Sequence, residues 1–172
     1  VRRMGKITDV KIDKVVLNIG VGQPGERLDN AKKLLEIITG KKAIYTKAKE
    51  RNPTFKIRPG LEIGVKVTLR GKDAEEILRR AFGALKNTIR KSMFDKTGNL
   101  SIGIKEYIDF PGVKYMPEIG VMGFDVVVRL IKPGYRVARR KRKPGKIGKK
   151  QRVTIEEAID FISKKFDVKV IS

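Results

Sequence analysis

Gly20, Gly22 and Gly25 stand in the stretch VLNIGVGQPGE with the spacing G-x-G-x-x-G, between an apolar run and a helix-like stretch. That spacing can cradle a pyrophosphate, because glycines let the backbone come close and the N-terminus of a following helix faces the phosphate. Other chemistry is scarce. The chain has no His and no Cys, which removes Cys/His zinc sites, Ser-His-Asp and Cys-His nucleophile systems, imidazole bases and disulfides. Neighbouring carboxylates occur at Glu75 and Glu76 and at Glu156 and Glu157, but both pairs fall in first turns of expected helices, where negative charge favours the helix dipole. Positive charge is abundant: 41 Lys and Arg against 19 Asp and Glu give a net +22 over 172 residues. A field of that size calls for a polyanionic partner, nucleic acid ahead of an anionic membrane surface.

The charge is concentrated. Arg136 to Arg152 holds 10 basic residues and no acid, and Lys41 to Arg58 holds seven against Glu50 alone. No apolar run approaches the roughly 18 to 20 residues of a membrane span, and the opening residues VRRMGKITD lack the apolar core of a signal peptide. The expectation is a cytoplasmic protein with no membrane contact.

The elements that must position these groups follow from periodicity. Lys11 to Gly20 alternates as a strand, with Val15, Leu17 and Ile19 on one face and Lys14, Val16 and Asn18 on the other. Leu28, Ala31, Leu34, Leu35 and Ile38 recur at helical spacing before Gly40, a helix stop. A short strand over residues 43–47 leads into a basic, breaker-rich loop, 47–60. Leu61 to Arg70 is a strand with Ile63, Val65, Val67 and Leu69 inward and Glu62, Gly64, Lys66, Thr68 and Arg70 outward. Asp73 and Glu76 read as a capping box for a helix whose stripe runs Ile77, Leu78, Ala81, Phe82, Leu85 and Ile89. After the turn KTGN come alternating strands at Leu100 to Ile104 and Phe124 to Leu130, joined by a Pro- and Gly-rich connection. The basic loop 136–152 precedes a second capping box, Thr154 with Glu157, and a last helix ending near Lys165. Clean alternation of wet and apolar positions suits an antiparallel sheet of about five strands with helices packed on one face, an α+β fold in a single domain spanning 1–172.

That layout weakens the cofactor reading of the glycines. A dinucleotide fold needs an acidic residue on the second strand, about 20 residues on, to take the ribose hydroxyls; here the strand ends Tyr45, Thr46, Lys47. A tight strand-to-helix turn that needs glycine's positive φ accounts for the same residues. The open sheet face offers Asn18, Lys66, Thr68, Arg70, Ser101, Lys105, Tyr107 and Arg129, a mixture of donors for phosphates, 2′-hydroxyls and base edges, although any half-exposed sheet has a polar face. The basic run RVARRKRKPGKIGKKQR also admits two readings, a targeting signal or an internal loop that orders against polyanion; its place between a strand and a capped helix favours the loop.

The stretches KVVLNIGVG, TKAK, KIRPGLEIGVKVTLRG, GNLSIGIKEYIDFPGVKY and GFDVVV, in that order, resemble the family of large-subunit ribosomal protein five, and the segment from Pro133 to Ala158 resembles its archaeal and eukaryotic branch. The resemblance implies a non-enzymatic constituent of the large ribosomal subunit that binds 5S rRNA and attaches it in the central protuberance, without cofactor or metal. It implies 5S rRNA contacts at Asn18, Gly20, Gly22, Lys47, Lys66, Thr68 and Arg70. It implies a loop near P-site tRNA with Lys49, Arg51, Lys56 and Arg58, and a bridge to a small-subunit head protein at Pro111, Val113 and Tyr115. Arg139, Arg140, Lys141, Arg142, Lys143, Lys149 and Lys150 are expected to meet the backbone of large-subunit rRNA. Further partners are the other central-protuberance proteins, and off the ribosome the protein is expected to be a monomer. The competing reading is a nucleotide-dependent enzyme built on the Gly20, Gly22 and Gly25 turn.

Overall fold

The computed structural model describes residues 9–171. Residues 1–8, which make up most of the segment read for a signal peptide, lie outside them. In chain order the elements are β1 (Lys11–Gly20), α1 (Glu26–Thr39), β2 (Ile44–Lys47), β3 (Glu62–Leu69), α2 (Lys72–Ala84) and β4 (Thr88–Arg90), followed by β5 (Leu100–Ile104), β6 (Phe124–Ile131), α3 (Arg136–Arg139), α4 (Ile155–Phe166) and β7 (Lys169–Ile171). Five strands form one sheet in the order β2-β3-β1-β6-β5, every pair antiparallel. This is the expected α+β architecture.

The alternation read from the sequence is what closes the core. Val15, Leu17 and Ile19 of β1 are buried beside Val65, Val67 and Leu69 of β3 and Val126, Val128 and Leu130 of β6. The apolar stripes of α1, α2 and α4 join them in one cluster. Each fully buried aliphatic side chain contributes roughly 1.5–3 kcal/mol, so this single face outweighs any polar contact on the other. Aromatic contacts tie the periphery in: Phe82 and Phe166 lie 5.2 Å apart between ring centroids, and Phe110 meets Phe124 edge-on at 5.4 Å. Among the described residues no helix is long and apolar enough to cross a membrane.

Helix ends separate the readings that hold from those that fail. α1 stops at Gly40, whose φ of 63° is left-handed and whose N–H bonds Glu36 O at 2.8 Å. At α4 the capping box forms as expected, Glu157 N–H donating to Thr154 Oγ1 and Thr154 N–H to the Glu157 carboxylate. At α2 it does not. Gly71, with φ 63°, holds the cap position, and Asp73 lies inside the first turn, 3.1 Å from Lys41 Nζ. Nor does the α2 stripe reach Ile89. Lys86 and Asn87 turn the chain with φ of 53° and 54°, and Ile89 is buried in β4, which pairs in parallel with β7. That two-stranded ladder joins Thr88 to Lys169 and Arg90 to Ile171, a separation beyond the reach of local periodicity.

One outward position is also corrected. Gly64 is buried, and a Cβ there would meet Thr46 Oγ1 at 2.7 Å and Ile19 O at 2.8 Å. Gly20, its partner in the register, has open space and an ordinary φ. Gly64→Ala is therefore expected to destabilise the fold by about 1–3 kcal/mol through overpacking, whereas Gly20→Ala should stay within about 0.5 kcal/mol of the parent. Urea denaturation of the two variants checks this, and equal effects would contradict it.

Candidate nucleic-acid interface

The register composes the open face row by row. Lys66, Asn18, Asp125 and Gly103 lie side by side on β3, β1, β6 and β5, and the next row reads Thr68, Val16, Val127 and Ser101. Lys14 and Arg129 pair beyond them. Lys66, Thr68, Arg70 and Ser101 are exposed, while Asn18 and Arg129 are half-buried. Lys47, exposed at the end of β2, joins this edge. Among the described residues neither Lys47 nor Lys66 pairs with a carboxylate within 4.0 Å. The face therefore presents cations, a hydroxyl and an amide on a rigid scaffold. Tyr107 does not belong to it. Its side chain is fully buried, and its hydroxyl accepts Met116 N–H at 2.9 Å, so it braces the 110–123 connection. Asp125, which alternation places outward, adds an acceptor beside Asn18.

Sequence reading missed the residue that organises this face. Between Ile12 and Lys14 the β1–β6 register shifts, so Asp13 is the extra residue of a bulge, the irregularity that re-aims a side chain. Its carboxylate, 7% exposed, sits among three guanidinium groups. Arg139 grips both oxygens, at 2.9 and 2.5 Å, while Arg70 approaches to 3.4 Å and Arg129 to 4.0 Å. The Arg139 hydrogen bonds chiefly, opposed by burial and helped by the charges of Arg139, Arg70 and Arg129, hold the Asp13 carboxyl below its ordinary value. Three cations share one anion, so the cluster stays positive. The cluster depends on the bulge, and a bulge leaves no local pattern in the sequence.

The clamp gives the basic segment a fixed place. α3 carries Arg139 back to the sheet, Gly145 N–H bonds Val137 O at 3.1 Å, and Gln151 donates to Pro133 O at 2.6 Å. The segment's ends are joined by Lys132, 4% exposed, whose ammonium lies 2.7 Å from the Glu157 carboxylate. That hydrogen bond, against the opposing effect of burial, lowers the Glu157 carboxyl. Arg140, Lys141, Arg142, Lys143, Lys149 and Lys150 remain exposed, and Arg139 is set apart from them by its carboxylate.

Two further groups of expected site residues lie elsewhere. The 47–60 loop folds back on itself through one antiparallel bridge, Asn52 with Ile57. Asn52 and Ile57 exchange backbone bonds at 3.0 and 2.9 Å, Lys56 adopts φ 56°, and Phe55 is 70% exposed at the tip between exposed Lys49, Arg51, Lys56 and Arg58. In the 110–123 connection Pro111 and Tyr115 are exposed and Val113 packs partly against the core. Arg80 holds this connection, donating to Pro111 O at 2.9 Å and to Ile38 O at 3.1 Å.

The glycine turn is built for the sheet. Val21 and Gly22 both direct their N–H groups to Ile63 O, at 2.9 and 2.8 Å, so two amides a phosphate cradle requires are already bonded. Gly22 and Gly25 have φ of 88° and 136°, as a tight strand-to-helix turn demands. Glu26 and Asp29 occupy the first turn of α1, where they oppose a phosphate. β2 is separated from β1 by β3, so the neighbouring strand of a dinucleotide fold is missing. Among the described residues no group of three or more acidic side chains could hold a metal ion.

Residues 6–58 match the family model for ribosomal protein L5, and residues 62–161 match the model for the C-terminus of the same ribosomal family. Relatives called large ribosomal subunit protein uL5 align along nearly the whole chain. That of Sulfurisphaera tokodaii is 48% identical over 163 residues, covering 94% of this chain and 92% of its own. Those of Methanococcus vannielii and Sulfolobus acidocaldarius are 50% and 46% identical, each covering 94% of this chain and 91% of its own.

A carboxyl held low in the folded state stabilises the protein above its unfolded pKa, here 3.8, and loses that contribution as pH falls through the folded value. Hydrogen bonds to charged groups contribute roughly 1.5–3 kcal/mol, less where the partners are solvent-screened. Asp13→Asn should therefore cost about 1–2 kcal/mol at pH 7. The gap to the parent should hold down to about pH 4 and close below it. Urea denaturation at a series of pH values measures the gap, and one that does not narrow as pH falls below about 4 would contradict an ionised clamp.

Proposed function

The chain belongs to the ribosomal protein L5 family, a structural constituent of the large ribosomal subunit rather than an enzyme, and on that premise we propose that its open sheet face binds 5S rRNA. The observation that carries the reading is the register that sets Lys66 beside Asn18, with Thr68 one row away and Arg70 at the strand's end. An A-form helix offers a shallow minor groove lined with 2′-hydroxyls between phosphates. A flat face bearing an amide, a hydroxyl and cations matches that pattern by shape and backbone contact. Asn18 and Thr68 supply the short, orientation-sensitive contacts, and Lys47, Lys66 and Arg70 the charge. Gly20 and Gly22 allow close approach at the edge.

The same reading assigns the remaining basic surface. The chain acts as a single RNA-binding domain with two basic loops. Lys49, Arg51, Lys56 and Arg58 approach P-site tRNA from the 47–60 loop. Arg140 to Lys143, with Lys149 and Lys150, meet the backbone of large-subunit rRNA, and Arg139 positions that segment through Asp13. Pro111, Val113 and Tyr115 face a small-subunit head protein. These assignments rest on the family motifs and are supported by the exposure of the cations concerned.

Two RNA types separate recognition from charge. Contacts to Z phosphates make log K fall with log salt at a slope of roughly −0.7Z to −0.9Z, so 5S rRNA binding should show a slope of several phosphates. Asn18→Ala with Thr68→Ala should weaken 5S rRNA binding by about tenfold while leaving an unrelated RNA nearly unchanged. Neutralising Arg140 to Lys143 should weaken both about equally. If both changes act alike on the two RNAs, the sheet is not a recognition surface.

A further inference from the structure

The basic segment stands off the sheet and leaves a groove of about 470 Å3 between itself and β1 and β6. Val16 and Val127, cross-strand partners, line it from the sheet, and Tyr135 and Ile147 from the segment. Val127 is 37% exposed and Val16 beside it is half-buried, so the two valines make an apolar break in a mostly polar face. Around this apolar slot stand Lys14, Arg129, Lys146 and Arg152, and among the described residues no carboxylate lines it. The Asp13–Arg139 clamp fixes the segment above the sheet, so the groove belongs to the fold.

An occupant must match both features, a flat apolar body and negative charge. Volumes of roughly 300–1,000 Å3 suit small ligands, so a double helix does not enter. A paired helix also shows phosphates and groove edges but no base faces, whereas an unpaired nucleotide offers a base face for stacking beside its phosphate. We infer that the groove takes one unstacked nucleotide, its base against Val16, Val127 and Tyr135 and its phosphate among Arg129, Lys146 and Arg152. This deepens the RNA-binding reading and rests on it. The shared chemistry, a base with a phosphate, occurs in a bulged RNA and in a free nucleotide.

The test uses the full chain with labelled methyl groups and three probes: an RNA hairpin with one bulged nucleotide, the same hairpin without it, and adenosine monophosphate. The bulged hairpin should shift the Val16, Val127 and Ile147 methyl signals and bind about tenfold more tightly than the paired one, the scale of one base stack. Val127→Phe, which fills the groove without changing charge, should abolish the preference and leave paired-hairpin affinity within about twofold, since the phosphate contacts are untouched. Adenosine monophosphate moving the same signals at least as tightly as the bulged hairpin would support the site with a free nucleotide as its source. Equal binding of both hairpins with these methyl signals unmoved, and no shift with adenosine monophosphate, overturns the groove while 5S rRNA binding by the parent leaves the broader reading intact. Failure of the parent to bind 5S rRNA overturns both. Should Val127→Phe fail to fold, the methyl shifts of the unsubstituted chain decide alone.

Discussion

β1 is paired along both flanks, to β3 and to β6, and because side chains alternate, its register decides which residues of all its neighbours meet solvent. A slip of one residue would expose Val15, Leu17 and Ile19 and bury Lys14 and Asn18. The apolar cluster under the sheet forbids that slip, since it would trade several buried aliphatic side chains for an unpaired ammonium and amide. The polar rows above are thus fixed by packing below. Asn18 stands between Lys66 and Asp125 because Leu17 and Ile19 cannot be anywhere else.

Where the register does shift, the structure gains its second organising feature. The bulge at Asp13 turns one carboxylate into a hub for arginines from the end of β3, from β6 and from α3. With a net charge of +22, a strongly cationic segment would ordinarily be driven off an already cationic sheet. One desolvated carboxylate bridging both reverses that locally while leaving the outer cations unpaired with it. Lys132 and Glu157 bring the two ends of the segment together, and loop-closure entropy rises only slowly with length, so a long basic excursion is compatible with a compact core.

What the sequence disclosed and what it withheld divide along the same physical line. Period-two alternation at β1, β3, β5 and β6 and the spacing of Leu28 to Ile38 are local signatures of burial, and they were legible with their faces. Thr154 and Glu157 were legible as a cap because both partners lie within one turn. Asp73 and Glu76 have the same spacing, but the left-handed Gly71 two residues earlier starts the helix first. Ile89 continues the stripe of α2 in number only, since the turn at Lys86 and Asn87 intervenes. The β4–β7 ladder, the burial of Tyr107 and the Asp13 clamp depend on partners distant in the chain. The open face was readable as a set of exposed residues; its arrangement around a bulge and under a folded segment was not.

The two edges of the sheet have a bearing on how copies of this protein behave toward one another. β2 spans four residues, with a register shift before its terminal Lys47, and β5 spans five and contains Gly103. In dilute solution mutual repulsion between strongly cationic molecules keeps such edges apart. A polyanion that neutralises the charge removes that barrier and crowds copies along its length, where an exposed strand edge becomes a template for intermolecular pairing. The shortness of both borders, with the register shift and terminal lysine of β2 and the glycine of β5, protects against aggregation under the conditions in which electrostatics no longer does.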